Sequence, residues 1–88
     1  MISHSKKDNT YQTADLGIAV YLFTHDHQLV ETTLLSPKRL IFHFKKQKNT
    51  ETLVGLYLNG TGQAPAKRLF DNYRALRALA FQGTGNLR

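Results

Sequence analysis

QLVETTLLSPKRLIFHFK, residues 28–45, is the stretch of sequence that decides the fold, because it has the pattern of two strands joined by a turn. In residues 39–45 apolar and polar side chains alternate, apart from Ile41 on the polar face, as they do along a half-buried strand. The apolar face of this strand carries Leu40, Phe42 and Phe44. Residues 28–35 are rich in Leu, Val and Thr, and Ser-Pro at positions 36–37 is typical of a turn. The stretch therefore predicts a β-hairpin with one buried, Phe-bearing face.

The register of this hairpin is predicted from cross-strand chemistry. A pairing is favoured when apolar residues meet on the buried face and polar or opposite-charge residues meet on the exposed face. The predicted pairs are Leu34 with Phe42, Thr32 with Phe44, Glu31 with Lys45 and Thr33 with His43. A hairpin alone is marginal in water, so helices must cover its apolar face.

Residues 14–24, before the hairpin, have apolar side chains at helical spacing. Thr13 is the predicted N-cap, and Asp15 in the first turn complements the helix dipole. Tyr21 lies off the apolar stripe. It is either an exposed aromatic available for stacking or a partly buried residue at the edge of the stripe.

Two further helices are predicted after the hairpin. The first is capped by Thr50 and ends at Asn59-Gly60, and Gly55 within it suggests close backbone packing against a neighbour. The second, residues 66–81, is the longest. Its predicted core stripe is Leu69, Tyr73, Leu76 and Ala80, flanked by Phe70. The hairpin residues Leu40, Phe42 and Phe44 are expected to pack against Leu69, Tyr73 and Leu76.

With 88 residues, 41% of them hydrophobic and 20% charged, the chain has the length and composition of one globular domain. The predicted fold class is α+β, in the order helix, hairpin, helix, helix, with the helices packed on one face of the hairpin. Residues 1–10 are expected to form a flexible arm, residues 11–82 the domain and residues 83–88 a flexible tail. The chain has no cysteine, no signal peptide pattern and no long apolar segment, which predicts a cytoplasmic protein with no membrane contact.

A set of capping, core and turn residues resembles a small domain family of unknown function found in bacterial and phage genomes. The matching motifs are Tyr11-x-Thr13-x-Asp15-Leu16-x-x-Ala19-x-x-Leu22, His27-x-Leu29, Phe42-x-Phe44, Tyr57-x-Asn59-Gly60 and Phe70-x-x-Tyr73-x-x-Leu76 with Leu79. The resemblance spans about residues 11–81 and implies the helix, hairpin, two-helix arrangement. It brings no catalytic residues. Members often have Gly before the His-x-Leu step, where this chain has Asp26.

Positive charge is concentrated in part of the chain, whose formal net charge is +6. Five cations and no acid lie between Ser36 and Lys48, around the apolar hairpin pattern, and a second group lies on the last helix. Such a distribution favours contact with a phosphate backbone. The candidate nucleic-acid-binding residues are Lys38, Arg39, Lys45, Lys46, Lys48, Lys67, Arg68 and Arg74.

Two histidines, His25 and His27, could offer imidazoles to a metal together with Asp26, Glu31 or His43, but a functional zinc site needs three or four convergent ligands. We therefore interpret this segment as a solvated loop and expect no metal or other cofactor. No Gly-x-Ser-x-Gly elbow and no obvious carboxylate pair is present, so we expect no enzyme and no small-molecule substrate.

Two hypotheses of function remain. The first is a non-enzymatic module that contacts DNA or RNA through the basic hairpin and the last helix, of phage or mobile-element origin. The second is a module that binds another protein or assembles with itself. They differ in salt dependence, because phosphate contacts weaken steeply with salt whereas apolar contacts persist.

Overall fold

The computed structural model describes residues 9–82, which form three strands and three helices. In chain order these are β1 Thr10–Thr13, α1 Leu16–Thr24, β2 Leu29–Ser36, β3 Arg39–Lys45, α2 Thr50–Leu58 and α3 Ala66–Ala80. The predicted α+β class and the order of helix, hairpin and two helices are confirmed. The tail expected at residues 83–88 and most of the expected N-terminal arm lie outside the described residues.

β1 is a strand that the sequence pattern did not predict. It pairs antiparallel with β3, so β3 is the central strand of a three-stranded sheet in the order β1-β3-β2. β1 begins at Thr10, within the segment expected to be an arm. Its four residues, Thr-Tyr-Gln-Thr, carry no apolar alternation, and their partner strand lies some 30 residues further along the chain. Only the long-range pairing makes this segment a strand.

The hairpin register differs from the predicted one by two residues. Leu34 lies opposite Leu40, Thr32 opposite Phe42, Thr33 opposite Ile41 and Glu31 opposite His43. The pairs predicted between Leu34 and Phe42, Thr32 and Phe44, Glu31 and Lys45, and Thr33 and His43 are therefore wrong. A shift of two leaves every side chain on its predicted face, so the hydrophobic pattern cannot detect it. The tight turn that joins Ser36 to Arg39 and the bulge between Leu34 and Ser36 together set the register instead.

The core is built around α1. Consecutive residues of this helix are buried around its whole circumference, namely Ile18, Ala19, Val20, Tyr21 and Leu22. They share one core with Leu40, Phe42 and Phe44 of β3. A helix that is apolar on all sides requires neighbours on all sides. Tyr21 is only 5% exposed, so the interpretation of it as an exposed stacking residue is wrong.

α3 packs against α1, and its predicted core stripe is only partly correct. Leu76 is buried and Leu69 packs at the edge of the core, but Tyr73 is 41% exposed. The amide Nδ2 of Asn72 donates to the Thr24 hydroxyl at 3.0 Å and fixes the helix against the end of α1. The predicted packing of the Phe-bearing face of β3 against Tyr73 is therefore wrong. The helix that is buried in the core is α1.

The helix ends also differ in detail from the predicted ones. Asp15, not Thr13, is the N-cap of α1: its Oδ1 accepts from the Ile18 N–H at 3.0 Å. Thr50 is the first residue of α2 rather than its cap. The left-handed Gly60 (φ 78°) ends α2 as predicted. A Cβ at Gly55 would have no heavy-atom neighbour within 4 Å, so the close packing expected there is absent.

Candidate nucleic-acid interface

The face of the sheet opposite the core is open to solvent and mostly polar. Alternation along β3 puts Arg39 and Lys45, both exposed, and the half-buried Ile41 and His43 on this side. In the observed register, Gln12 of β1 and Glu31 of β2 flank His43 on its two sides. Thr33 contributes a hydroxyl that hydrogen-bonds the His43 Nε2 at 2.9 Å. The open face therefore offers several hydrogen-bonding groups between two cations.

Central strand β3 separates the basic residues into two groups. Lys38 lies in the turn beside Arg39, and Lys45 lies at the other end of the strand, followed closely by Lys48. Six residue steps at about 3.4 Å place the two ends roughly 20 Å apart. The cations thus mark the two ends of one rigid strand rather than a single small patch. Both edges of β3 are hydrogen-bonded, which fixes this separation.

Four of the eight candidate cations are engaged by carboxylates. The Lys46 Nζ lies 3.3 Å from the Glu51 Oε2 at the start of α2. On α3, Asp71 accepts from the Lys67 Nζ at 2.8 Å and from the Arg74 Nη1 at 3.3 Å. The remaining pair joins Arg68 to Asp26 at 3.1 Å. These pairs are exposed and contribute little to stability, but each carboxylate reduces the local attraction for a phosphate.

The cluster around Asp71 illustrates this local neutralisation. The hydrogen bond from Lys67 lowers the pKa of Asp71, and the charge of Arg74 acts in the same direction. The same hydrogen bond, with the attraction of the carboxylate, raises the pKa of Lys67. Asp71 is therefore ionised at neutral pH and offsets part of the positive charge on this side of α3.

The other four candidates have no such partner in the part of the chain that the structure describes. Lys38, Arg39, Lys45 and Lys48 form no ion pair with a carboxylate of residues 9–82. All four are exposed. They are the cations whose charge is most available to an anionic partner, and they lie in and around β3.

The His25-x-His27 segment is not the solvated loop that we expected. His27 is 1% exposed, with its Nδ1 3.2 Å from the carbonyl oxygen of His25 and its Nε2 2.9 Å from the Thr50 hydroxyl. A carbonyl oxygen only accepts, so Nδ1 donates, and Nε2 accepts from Thr50. The Thr50 hydroxyl in turn accepts from the Gln47 N–H at 2.8 Å. His27 is thus a structural link between the loop after α1 and the start of α2.

His25 has a different environment. Its ring lies against Tyr21, with centroids 4.5 Å apart, and its Nε2 is 2.8 Å from the carbonyl oxygen of Gln63. The two imidazoles thus have separate hydrogen-bond partners. Between residues 9 and 82, no three His, Asp or Glu side chains are grouped as metal ligands.

Asp26, between these histidines, has a φ of 66°. This left-handed conformation is one that glycine adopts freely and that aspartate tolerates better than most residues. Glycine, which the resemblance implies at this position, would adopt the same conformation without steric cost. The carboxylate of Asp26 is used instead to bind Arg68.

Sequence reasoning missed two parts of the exposed surface. The row Gln12–His43–Glu31 depends on β1, which the pattern did not predict. The sequence pattern also does not identify the exposed side chains Phe70, Tyr73 and Phe81 as a surface feature, and Arg77 is not among the candidate cations. The helical spacing of Phe70, Arg77 and Phe81 was the signal that could have identified this face.

Comparison with known proteins gives one match. Neither a curated protein nor a solved structure matches the chain. No helix in the described range 9–82 is long and apolar enough to cross a membrane. The family described as Domain of unknown function (DUF5659) matches residues 8–82. Because this match covers more than half of the chain, the protein belongs to the DUF5659 family.

Proposed function

We propose that this domain is a non-enzymatic binding module that contacts the phosphate backbone of a nucleic acid through the open face and the two ends of β3. The observation that carries the proposal is the set of four exposed cations without a carboxylate partner among residues 9–82, namely Lys38, Arg39, Lys45 and Lys48. Phosphate contacts from Lys and Arg supply most of the affinity in sequence-independent binding. We also propose that the protein is cytoplasmic, because a chain without cysteine fits a reducing compartment.

The geometry of the strand supports contact with an extended polyanion. Two cationic ends roughly 20 Å apart correspond to about six base-pair steps of 3.4 Å along a duplex. Because the sheet holds β3 from both sides, little backbone entropy is lost when its ends engage phosphates. The polar side chains of Gln12 and Thr33 lie on the same face, between the two cationic ends of β3.

The test is a salt titration of duplex binding with the full chain. A fluorescein-labelled duplex of about 20 base pairs is titrated from about 50 to 200 mM salt, and four contacts predict a slope of roughly −3.6 in log affinity against log salt. Lys38→Gln combined with Arg39→Gln should flatten the slope by about 1.8, and so should Lys45→Gln combined with Lys48→Gln.

Lys46→Gln is the matched control, since this lysine lies in the same loop but is engaged by Glu51. It removes one unit of charge and should change the slope much less than Lys45→Gln does. An equal effect of the two variants would mean that net charge, rather than these four cations, drives binding. Absence of any binding at about 50 mM salt would overturn the proposal, because phosphate contacts are strongest there.

The alternative function is a module that binds another protein or itself, and one observation favours it. β2 is an edge strand in which Val30, Leu34 and Leu35 are about half exposed. An open edge with apolar side chains can accept a strand from a partner. However, the register shifts at both ends of β2, which limits the length of edge available for pairing. A definite oligomeric mass that persists in high salt would favour this alternative.

A further inference from the structure

The outer face of α3 carries large aromatic side chains in solvent. Phe70 and Phe81 are each 61% exposed and Tyr73 is 41% exposed. Aromatic side chains normally bury most of their surface in a domain core. Here Phe70 and Tyr73 lie on α3 and Phe81 is its C-cap, while Leu69 and Leu76 of the same helix contact the core. These residues are therefore not needed to hold α3 in place.

Cations alternate with these aromatic residues on the same face. At about 100° per residue, Phe70, Arg77 and Phe81 lie within roughly 40° of one another around the helix axis, and Arg74 lies beside them. Phe70 and Phe81 are separated by roughly 16 Å along the axis, with Arg77 between them. Asp71 is engaged by Lys67 and Arg74, and among residues 9–82 no carboxylate pairs with Arg77.

Two concavities join along this face. One, of about 560 Å³, is lined by Tyr73, Arg74, Arg77 and Phe81. The other, of about 280 Å³, lies between α1, α2 and α3 and is lined by Tyr57, Phe70 and Tyr73 among others. Tyr73 lines both, so the two adjacent concavities form a groove with aromatic side chains along its length and with Arg74 and Arg77 at one end.

We infer that this groove is a stacking platform for single-stranded nucleic acid. Unpaired bases present flat faces that stack on aromatic side chains, while arginines between the rings contact the phosphates. A duplex keeps its bases stacked internally and gives Phe70 and Phe81 nothing to bind. The inference rests on the proposed function and adds to it a preference for single strands.

The charges of the groove argue against a second copy of the chain as its occupant. A second copy would offer Arg74 and Arg77 little free negative charge, because Asp71 on the same helix is already engaged by Lys67 and Arg74. Each chain also has a formal net charge of +6. Like charges at such an interface repel each other, whereas a polyanion is attracted by the same groups. The arginines therefore favour an anionic ligand, and the exposed aromatic rings favour one with flat apolar surfaces.

The experiment compares two probes with the full chain, a labelled oligo-dT of about 20 nucleotides and a mixed-sequence duplex of the same length. Phe70→Ala and Phe81→Ala should each lower oligo-dT affinity roughly 5- to 150-fold, the range for removing one stacked base. Duplex affinity should change less than twofold. Phe70→Tyr and Phe81→Tyr keep the ring and should bind oligo-dT nearly as the parent does. Leu58→Ala, which removes an equally exposed apolar side chain (66%) without a ring from another helix, is the control.

Thermal unfolding of each variant checks that the fold is retained. If the duplex still binds but neither Phe70→Ala nor Phe81→Ala changes the affinity for oligo-dT, this inference is overturned and the proposed function stays intact. Failure of both probes to bind at about 50 mM salt would overturn the two together. A dimer mass that is lost in Phe70→Ala would overturn the inference by assigning the groove to self-association.

Discussion

The hydroxyl of Thr50 joins the ring of His27, in the loop after α1, to the start of α2. Thr50 is fully buried, and its Oγ1 lies 2.9 Å from the His27 Nε2 and 2.8 Å from the Gln47 backbone nitrogen. Thr50→Val keeps the shape of the side chain but leaves both groups without a partner. The buried His27 Nε2 loses its partner at a cost of about 1–3 kcal/mol, the partly buried Gln47 N–H adds less, and the gain from the added methyl is smaller than their sum. We expect a loss of about 2–4 kcal/mol in the free energy of unfolding.

The assay is urea denaturation followed by circular dichroism. For a domain of this size, whose stability is of order 4–13 kcal/mol, such a loss is a large fraction of the total. With an m-value near 1.5 kcal/mol/M, the midpoint should fall by roughly 1–3 M. Thr52→Val on the exposed side of the same helix makes the same chemical change and should stay within about 0.5 kcal/mol of the parent.

A third variant separates the hydroxyl from the packing of Thr50. Thr50→Ser retains both hydrogen bonds and loses one methyl group, so it should cost only about 1 kcal/mol. If Thr50→Val has the same midpoint as Thr52→Val, or if Thr50→Ser is destabilised as much as Thr50→Val, the assigned role of the hydroxyl is wrong.

Three further predictions concern the fold. Phe42→Ala, at a side chain only 2% exposed, should lower the free energy of unfolding by about 3–5 kcal/mol, and an unchanged melting temperature would contradict its place in the core. Gly17→Ala should destabilise the protein by about 1–3 kcal/mol, because its Cβ would overlap the hydroxyl of Tyr57. Gly55→Ala should instead stabilise it by up to about 1 kcal/mol. Urea midpoints that move in the same direction for both variants would refute this contrast. Asp26→Gly relieves a left-handed backbone and should raise stability by about 0.5–1 kcal/mol, so a lower melting temperature than that of the parent would count against the strain.

Local patterns predicted those parts of the fold that local physics determines. The alternation of residues 39–45 identified β3 and its buried face, and Gly60 marked the end of α2. In each case neighbouring residues contain the whole signal. The register of the hairpin was not determined in this way, because pairings that differ by two residues bury the same side chains.

Burial that depends on distant partners could not be predicted. The polar β1 becomes a strand only when β3 is present beside it, and His27 is buried because Thr50 offers a hydroxyl to its ring. The candidate cations were visible in the sequence as residue types. The sequence does not show which of these cations are engaged by carboxylates, since the ion pair of Arg68 with Asp26 joins residues 42 positions apart.

The central position of β3 also has a consequence for synthesis on the ribosome. β1 emerges first, yet its hydrogen-bonding partners, from Phe42 to Lys45, are the last residues of the sheet to be made. The hairpin of β2 and β3 forms between residues that are close in sequence. Pairing of β1 with β3 must close a longer loop, which contains α1 and β2. We expect the nascent chain to form the hairpin first and to complete the sheet by docking β1 last. Until then one edge of β3, the strand with the most apolar face, is exposed to chaperones and to other nascent chains.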